Sequence, residues 1–245
     1  MEYFVITGTG SGIGKSLLQQ CLGRGKVIVL SRTCTVEHPD VHFIACNLSL
    51  PGEVERILPL IPFPEKCDRL TWINNAGTIG MIERCGELGN GHYATVFQLN
   101  LLSVCQLTEY FVRVMKSRNF PGILVNISSG AANSAIAGWS AYCASKAGVD
   151  MFVRTVDAEL RESKHTHVHV FSFHPGMVDT PMQQHIRGAS PAAFSAHVRF
   201  TEAHKQGELL SPDFVAERLL TIFKHPEKIT SPVVSIRDYL YDQKP

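Results

Sequence analysis

What most constrains the fold of this chain is a repeated alternation of short, apolar, β-rich runs with longer stretches patterned for helix. YFVIT (3–7), KVIVLS (26–31), VHFIAC (41–46), LTWIN (70–74), ILVNIS (123–128), VHVFSF (168–173) and VVSI (233–236) read as seven strands. Most are apolar without a break. That pattern belongs to a parallel sheet with helices on both faces, because a sheet with one wet face would alternate polar and apolar residues. Helical patterns lie between the runs, near 13–23, 52–59, 92–118, 141–162 and 212–224. Strand and helix in strict alternation imply right-handed crossovers and a doubly wound α/β sheet of seven parallel strands. With 245 residues and 44% hydrophobic content, one core suffices, so the prediction is a single domain over 1–245.

Two places depart from the regular alternation. Only RTCTVEHPD separates the second and third strands, which is too short for a covering helix. Between the sixth strand and the last helix, an insertion at about 181–211 mixes helix formers with Gly188, Pro191 and Gly207. Long insertions inside compact domains are commonly lids over a site, and that is the expectation here.

The stretch TGTGSGIG, from Thr7 to Gly14, joins the first strand to the first helix. Gly8, Gly12 and Gly14 allow a tight turn and let backbone amides approach a pyrophosphate, which the positive end of the helix dipole would attract. At the end of the second strand, where an acidic residue would bind a ribose 2′-hydroxyl, stand Ser31 and Arg32. A hydroxyl and a guanidinium suit a 2′-phosphate, so NADPH is expected over NADH. The other reading of Arg32 is a solvated side chain at a strand end.

Further along, Tyr142 and Lys146 in YCASK are four residues apart and share one helical face. Ser128 and Ser129 precede the tyrosine by fourteen and thirteen residues. With TGTGSGIG, NNAG (74–77), NISS (126–129), YCASK and PGMVDT (175–180) in this order, the chain resembles the short-chain dehydrogenase/reductase family over essentially its whole length. The segments ISSGAANSAIAGWSAYCASKAGVDMF, PGMVDTPMQQHIR and GELLSPDFVAERL are similar to bacterial benzil reductases that form (S)-benzoin, relatives of sepiapterin reductase.

The resemblance implies a Rossmann fold and a set of roles. Tyr142 would be the general acid for a carbonyl oxygen. Lys146 would lower the phenol's pKa and hold the nicotinamide ribose. Ser129, rather than Ser128, would orient the carbonyl, and Asn100 in FQLNLLS would position a relay water. The cofactor would be held by Ile6, Gly8, Ser11, Gly12, Ile13 and Gly14, by Ser31 and Arg32, and by Asn47 and Leu48. Asn75, Ala76 and Gly77 would pass the adenosine ribose, while Pro175, Val178 and Thr180 would hold the carboxamide, with Tyr142 and Lys146 completing the site. Two positions depart from the family pattern. Ser11 stands where many NADPH-dependent members carry a basic residue. Asn47 stands where an aspartate often meets the adenine amine; its amide oxygen is expected to accept that bond instead.

A hydrophobic substrate is expected from Trp139, Met182 and Phe194, which would line its pocket. The alternative is that they pack the insertion down. His165, His167 and His169 alternate along one strand but lack a carboxylate cluster, so no metal is expected. His174, just before Pro175, is expected near the nicotinamide end of the cleft, either tuning the site or as a plain loop histidine. Seven scattered cysteines without a CxxC pair read as reduced thiols. A net charge of +1 without blocks of like charge gives no footprint for nucleic acid or an anionic membrane. MEYFVITG lacks a basic leader, and a cytoplasmic location is expected. By resemblance, helices 92–118 and 141–162 would pair with another subunit in a homodimer or homotetramer. The functions in view are an NADPH-dependent reductase of hydrophobic ketones or α-diketones, a pterin ketone reductase, and an NADPH sensor without turnover.

Overall fold

In a computed structural model describing residues 1–34 and 36–239, seven parallel strands form one sheet in the order β3-β2-β1-β4-β5-β6-β7. They are β1 (Glu2–Thr7), β2 (Gly25–Ser31), β3 (Val41–Ala45), β4 (Arg69–Asn74), β5 (Gly122–Ile127), β6 (Val168–His174) and β7 (Val233–Ser235). The chain winds outward from β1 to β3, then returns to the other side of β1. Strand order therefore reverses between β1 and β4, and the crevice outside their carboxyl ends is where a ligand fits such a sheet. This is the doubly wound Rossmann arrangement expected from the sequence.

The unbroken apolar runs are explained by two cores, one on each face. Successive side chains of a strand point to opposite faces. On β4, Leu70 and Trp72 enter one core and Ile73 the other; on β5, Leu124 is opposed to Ile123 and Val125. The first core packs under α4 (Ser103–Met115) and α5 (Ser140–Glu162), the second under α1 (Gly12–Cys21) and α8 (Pro212–Ile222). A fully buried Trp72 or Phe171 contributes on the order of 1.5–3 kcal/mol of transfer free energy. No described helix is long and apolar enough to cross a membrane.

Two helical expectations need correction. The helix expected at 52–59 is a single short α2 (Glu53–Ile57) followed by a 3-10 turn. The continuous helix expected at 92–118 is α3 (Asn90–Phe97) and α4 joined by a π-helical turn, Gln98–Leu102. A π turn inserts a residue into the helical ladder and re-aims the side chain it carries; here it turns Asn100 inward, fully buried. The insertion folds as two helices, α6 (Pro181–Arg187) and α7 (His197–Lys205). Thr180 caps α6 by accepting from the Gln183 N–H, with Pro181 at the first position where its missing donor costs nothing. The ends of the insertion are tied together by backbone bonds, Asp179 N–H to Leu210 and Leu210 N–H to Met177, both 2.9 Å.

Candidate active site

The glycine turn is closed from three sides. Thr7 Oγ1, at the end of β1, accepts from the backbone N–H groups of Asn75 and Ala76, each at 2.9 Å. Asn75 Nδ2 donates back to the Gly8 carbonyl at 2.8 Å. Gly14 faces this knot so closely that a Cβ there would lie 2.2 Å from the Gly8 carbonyl oxygen. Gly12 has φ +54°, and its Cβ would meet the Thr180 methyl at 2.9 Å, so the 175–180 segment presses directly on the turn.

The residues present fit a dinucleotide. No side chain caps the first turn of α1, and no acidic residue stands in it, leaving its amides free for an anion. Thr9 Oγ1 is buried beside them without a partner among the described residues. Arg32 is exposed, and no ion pair or hydrogen bond to a described residue engages its guanidinium. Ile6, Leu48 and Val178 are buried in the cores, so only their backbones can reach a ligand, whereas Ser31 is buried with Arg32 outside it. Asn47 differs from expectation. Its Oδ1 already accepts from both the N–H and the hydroxyl of Ser49, at 3.2 and 2.7 Å, so a bond from an adenine amine has to displace one of them.

Farther along the crevice, Tyr142, Lys146, Ser129 and Asn100 converge. Lys146 Nζ lies 5.8 Å from the centroid of the Tyr142 ring and donates to the Ile127 carbonyl at 2.7 Å. Asn100 accepts from the Thr78 N–H at 2.8 Å, donates to the Thr78 carbonyl at 2.7 Å and to Ser145 Oγ at 3.1 Å. Both its side-chain N–H donors are thus committed to pinning the NNAG turn onto α5, so the side chain itself offers a relay water only its remaining oxygen lone pair. Gly77 and Ala76 lie in that pinned turn. Of the two serines, Ser129 stands beside the phenol, while buried Ser128 faces Asp150 on the other side.

Electrostatics here follow burial. Burial pushes the Tyr142 phenol up to about 12, with Ser129 pulling it down and Cys143 pushing it up. The Lys146 ammonium sits over the ring and bonds Ile127 rather than the phenol oxygen, and burial prevails, so the net shift is upward instead of the expected lowering. Burial also lowers Lys146 to about 8, against the opposing charge of Asp150.

A third cluster covers the phenol. Trp139 stacks on Phe194 and tilts against Phe200, with the indole edge-on to Tyr142 at 5.6 Å. Ile79, Ile186 and partly buried Met182 complete it. Of the expected pocket residues, Trp139 and Phe194 are buried against one another, and the Trp139 Nε1 is buried without an acceptor among the described residues. Phe200 and Ile79 were not singled out from the sequence. Neither were Ser145 and Asp150, although both lie on the helical face or turn marked by Tyr142 and Lys146. His174, the last residue of β6, is 8% exposed and bonds Asp150 at 2.7 Å, so it is not a plain loop histidine. Among the described residues no cluster of three or more potential ligands could hold a metal ion.

Residues 2–190 match the family model described as short chain dehydrogenase. The chain is 38% identical to the "Benzil reductase ((S)-benzoin forming)" of Bacillus subtilis, covering 91% of this chain and 94% of that protein. It is 32% identical to the sepiapterin reductase of Rattus norvegicus, over 90% of each. A solved short chain dehydrogenase/reductase from Saccharomyces cerevisiae superposes with a TM-score of 0.83 over 100% of both chains, at 23% identity, a likeness of fold.

Proposed function

The chain belongs to the short chain dehydrogenase family of oxidoreductases, and on that premise we propose that it is an NADPH-dependent carbonyl reductase acting on hydrophobic ketones or α-diketones such as benzil. The observation that carries this reading is the Tyr142 phenol, buried beside Ser129 and over the Lys146 ammonium, in the crevice that the glycine turn opens. A reduced nicotinamide dinucleotide, when bound, supplies the hydride. Tyr142 keeps its proton at neutral pH and donates it to the carbonyl oxygen as negative charge develops there. Ser129 donates a hydrogen bond to the same oxygen and fixes its direction. Lys146 stabilises the phenolate left behind, and Asn100 holds the NNAG turn against α5 so that these groups keep their spacing.

NADPH is favoured by the unengaged Arg32 at the end of β2 and by the lack of an acidic residue there. The insertion, 181–211, acts in this reading as a lid, with Phe194 and Met182 forming the substrate wall with Trp139. The benzil reductase relatives support hydrophobic ketones or α-diketones as the substrate class. A pterin side-chain ketone is the second reading, supported by the likeness to rat sepiapterin reductase. Exposed Leu102 and Met151, on the π turn and α5, support a homodimer or homotetramer, and the reduced cysteines support a cytoplasmic setting.

The test is to follow loss of reduced-nicotinamide absorbance with benzil, a simple aryl monoketone and sepiapterin, each with NADPH and NADH. Turnover best with benzil and NADPH is the expected result. Turnover confined to sepiapterin selects the second reading, and none on any substrate counts against both.

A further inference from the structure

Behind Tyr142 and Lys146, the same face of α5 carries a third polar side chain. Asp150 stands one turn beyond Lys146, as Lys146 stands one turn beyond Tyr142, so phenol, ammonium and carboxylate line up at i, i+4 and i+8. Asp150 is 1% exposed and Lys146 5%. A carboxylate buried that deeply persists as an ion only when it is paired or hydrogen-bonded. His174, the last residue of β6, supplies such a bond from Nε2 to Oδ2 at 2.7 Å. The hydroxyls of Ser128 and Ser172 face the same carboxylate without closing short bonds. Burial alone would raise the Asp150 carboxyl; the His174 bond and these hydroxyls outweigh it and leave the group below the ordinary carboxylate range. Among the described residues its Oδ1 has no hydrogen-bond partner.

The charges facing Lys146 can be taken element by element. α5 presents Tyr142 and Asp150, with Cys143 beside the phenol. β6 presents His174, reached through Asp150. The end of β5 presents the neutral Ile127 carbonyl, and the π turn and NNAG turn present Asn100 and Gly77, which are also neutral. Among the described residues, Asp150 is thus the formal negative charge acting on the ammonium. His174 adjoins Pro175, the start of the segment pressing on the glycine turn, so the same bond fastens that segment's root to α5.

Building on the reductase reading, we infer that Asp150, held by His174, is a positioning residue for the reduction: the buried counter-charge that keeps Lys146 an ammonium beneath Tyr142. The carboxylate touches neither substrate nor cofactor; it acts through Lys146.

The direct test is the titration of Lys146 in the apoprotein, followed by NMR of 13C-labelled lysine ε-carbons and assigned by loss of the signal in Lys146→Met. The wild-type midpoint is expected near 8. Asp150→Asn should lower it by about 1 pH unit, and the alkaline limb of kcat/KM for benzil reduction should move down with it. His174→Gln, which keeps a donor for Oδ2, should hold both near their wild-type positions. Asp150→Ser makes the same charge change with a smaller side chain and serves if the asparagine variant does not fold. A Lys146 midpoint unmoved by loss of the carboxylate overturns the inference, as does a moved midpoint with an unmoved rate profile. Tyr142→Phe, assayed in parallel, separates the two levels: turnover surviving there overturns the acid assignment, while the lysine titration still judges the pairing by itself.

Discussion

Trp139 and Phe194 lie face to face, ring centroids 5.1 Å apart and planes 11° from parallel, although one precedes α5 and the other sits in the insertion between β6 and α8. The indole that holds the insertion is the same one that meets the Tyr142 ring edge-on. Lid and phenol are therefore coupled through one side chain.

Phe194→Leu should loosen that coupling while leaving an apolar side chain in place. An aromatic pair is worth about 0.5–1.5 kcal/mol beyond its area, so KM for benzil should rise about 2- to 10-fold, since about 1.4 kcal/mol is tenfold. The midpoint of thermal unfolding should fall by a few degrees as well, because Phe194 is fully buried in that cluster. Steady-state kinetics beside a melting curve check this; an unchanged KM removes Phe194 from the substrate wall.

Arg32→Ala should weaken NADPH while sparing NADH. A hydrogen bond to a charged group contributes about 1.5–3 kcal/mol, so the ratio of the two dissociation constants should change by roughly 10- to 100-fold. Fluorescence titration of both nucleotides measures it. Equal losses would mean that the guanidinium does not read the 2′-phosphate.

Stability should fall on the alkaline side. Burial raises the thiols of Cys21, Cys46 and Cys105 from 9.0 to about 12, 11 and 11. Raised acids bind more protons folded than unfolded, so their contribution is complete below pH 9 and is lost as pH climbs through the folded values. Lys146 works in the opposite sense: lowered from 10.5 to about 8, it favours folding progressively as pH rises between those values. Three thiols outweigh one ammonium above pH 9. Urea midpoints at pH 8, 9, 10 and 11 should therefore decline from 9 upward, and Cys21→Ala should flatten the decline. A midpoint rising steadily to pH 11 would contradict this balance.

The sheet was legible because its signal is carried by whole runs. ILVNIS and VHVFSF are apolar on both faces, and only a doubly covered parallel strand tolerates that. The glycine turn and the Tyr142–Lys146 spacing were legible for a related reason: backbone closeness and helical pitch translate directly into sequence separation. Asp150 was overlooked although the same pitch reaches it, since a lone aspartate in a helix usually faces water; its burial depends on His174, a partner twenty-four residues away on another element. The π turn at Asn100 was invisible because its residues, QLNLL, have the composition of ordinary helix. The pKa of Tyr142 ran against expectation because i, i+4 spacing fixes which face a lysine shares but not how deeply the phenol is buried, and burial decides the shift.

The most direct test of the account compares wild type and Tyr142→Phe in single-turnover oxidation of NADPH by benzil, with NADPH affinity measured on both. Losing a positioned acid costs typically about 10²- to 10⁴-fold, so the rate should fall by that much while NADPH affinity stays within a few-fold of wild type. Phenylalanine-variant turnover close to wild type, with the nucleotide still bound, would contradict the assignment of Tyr142 as the acid and with it the proposed chemistry.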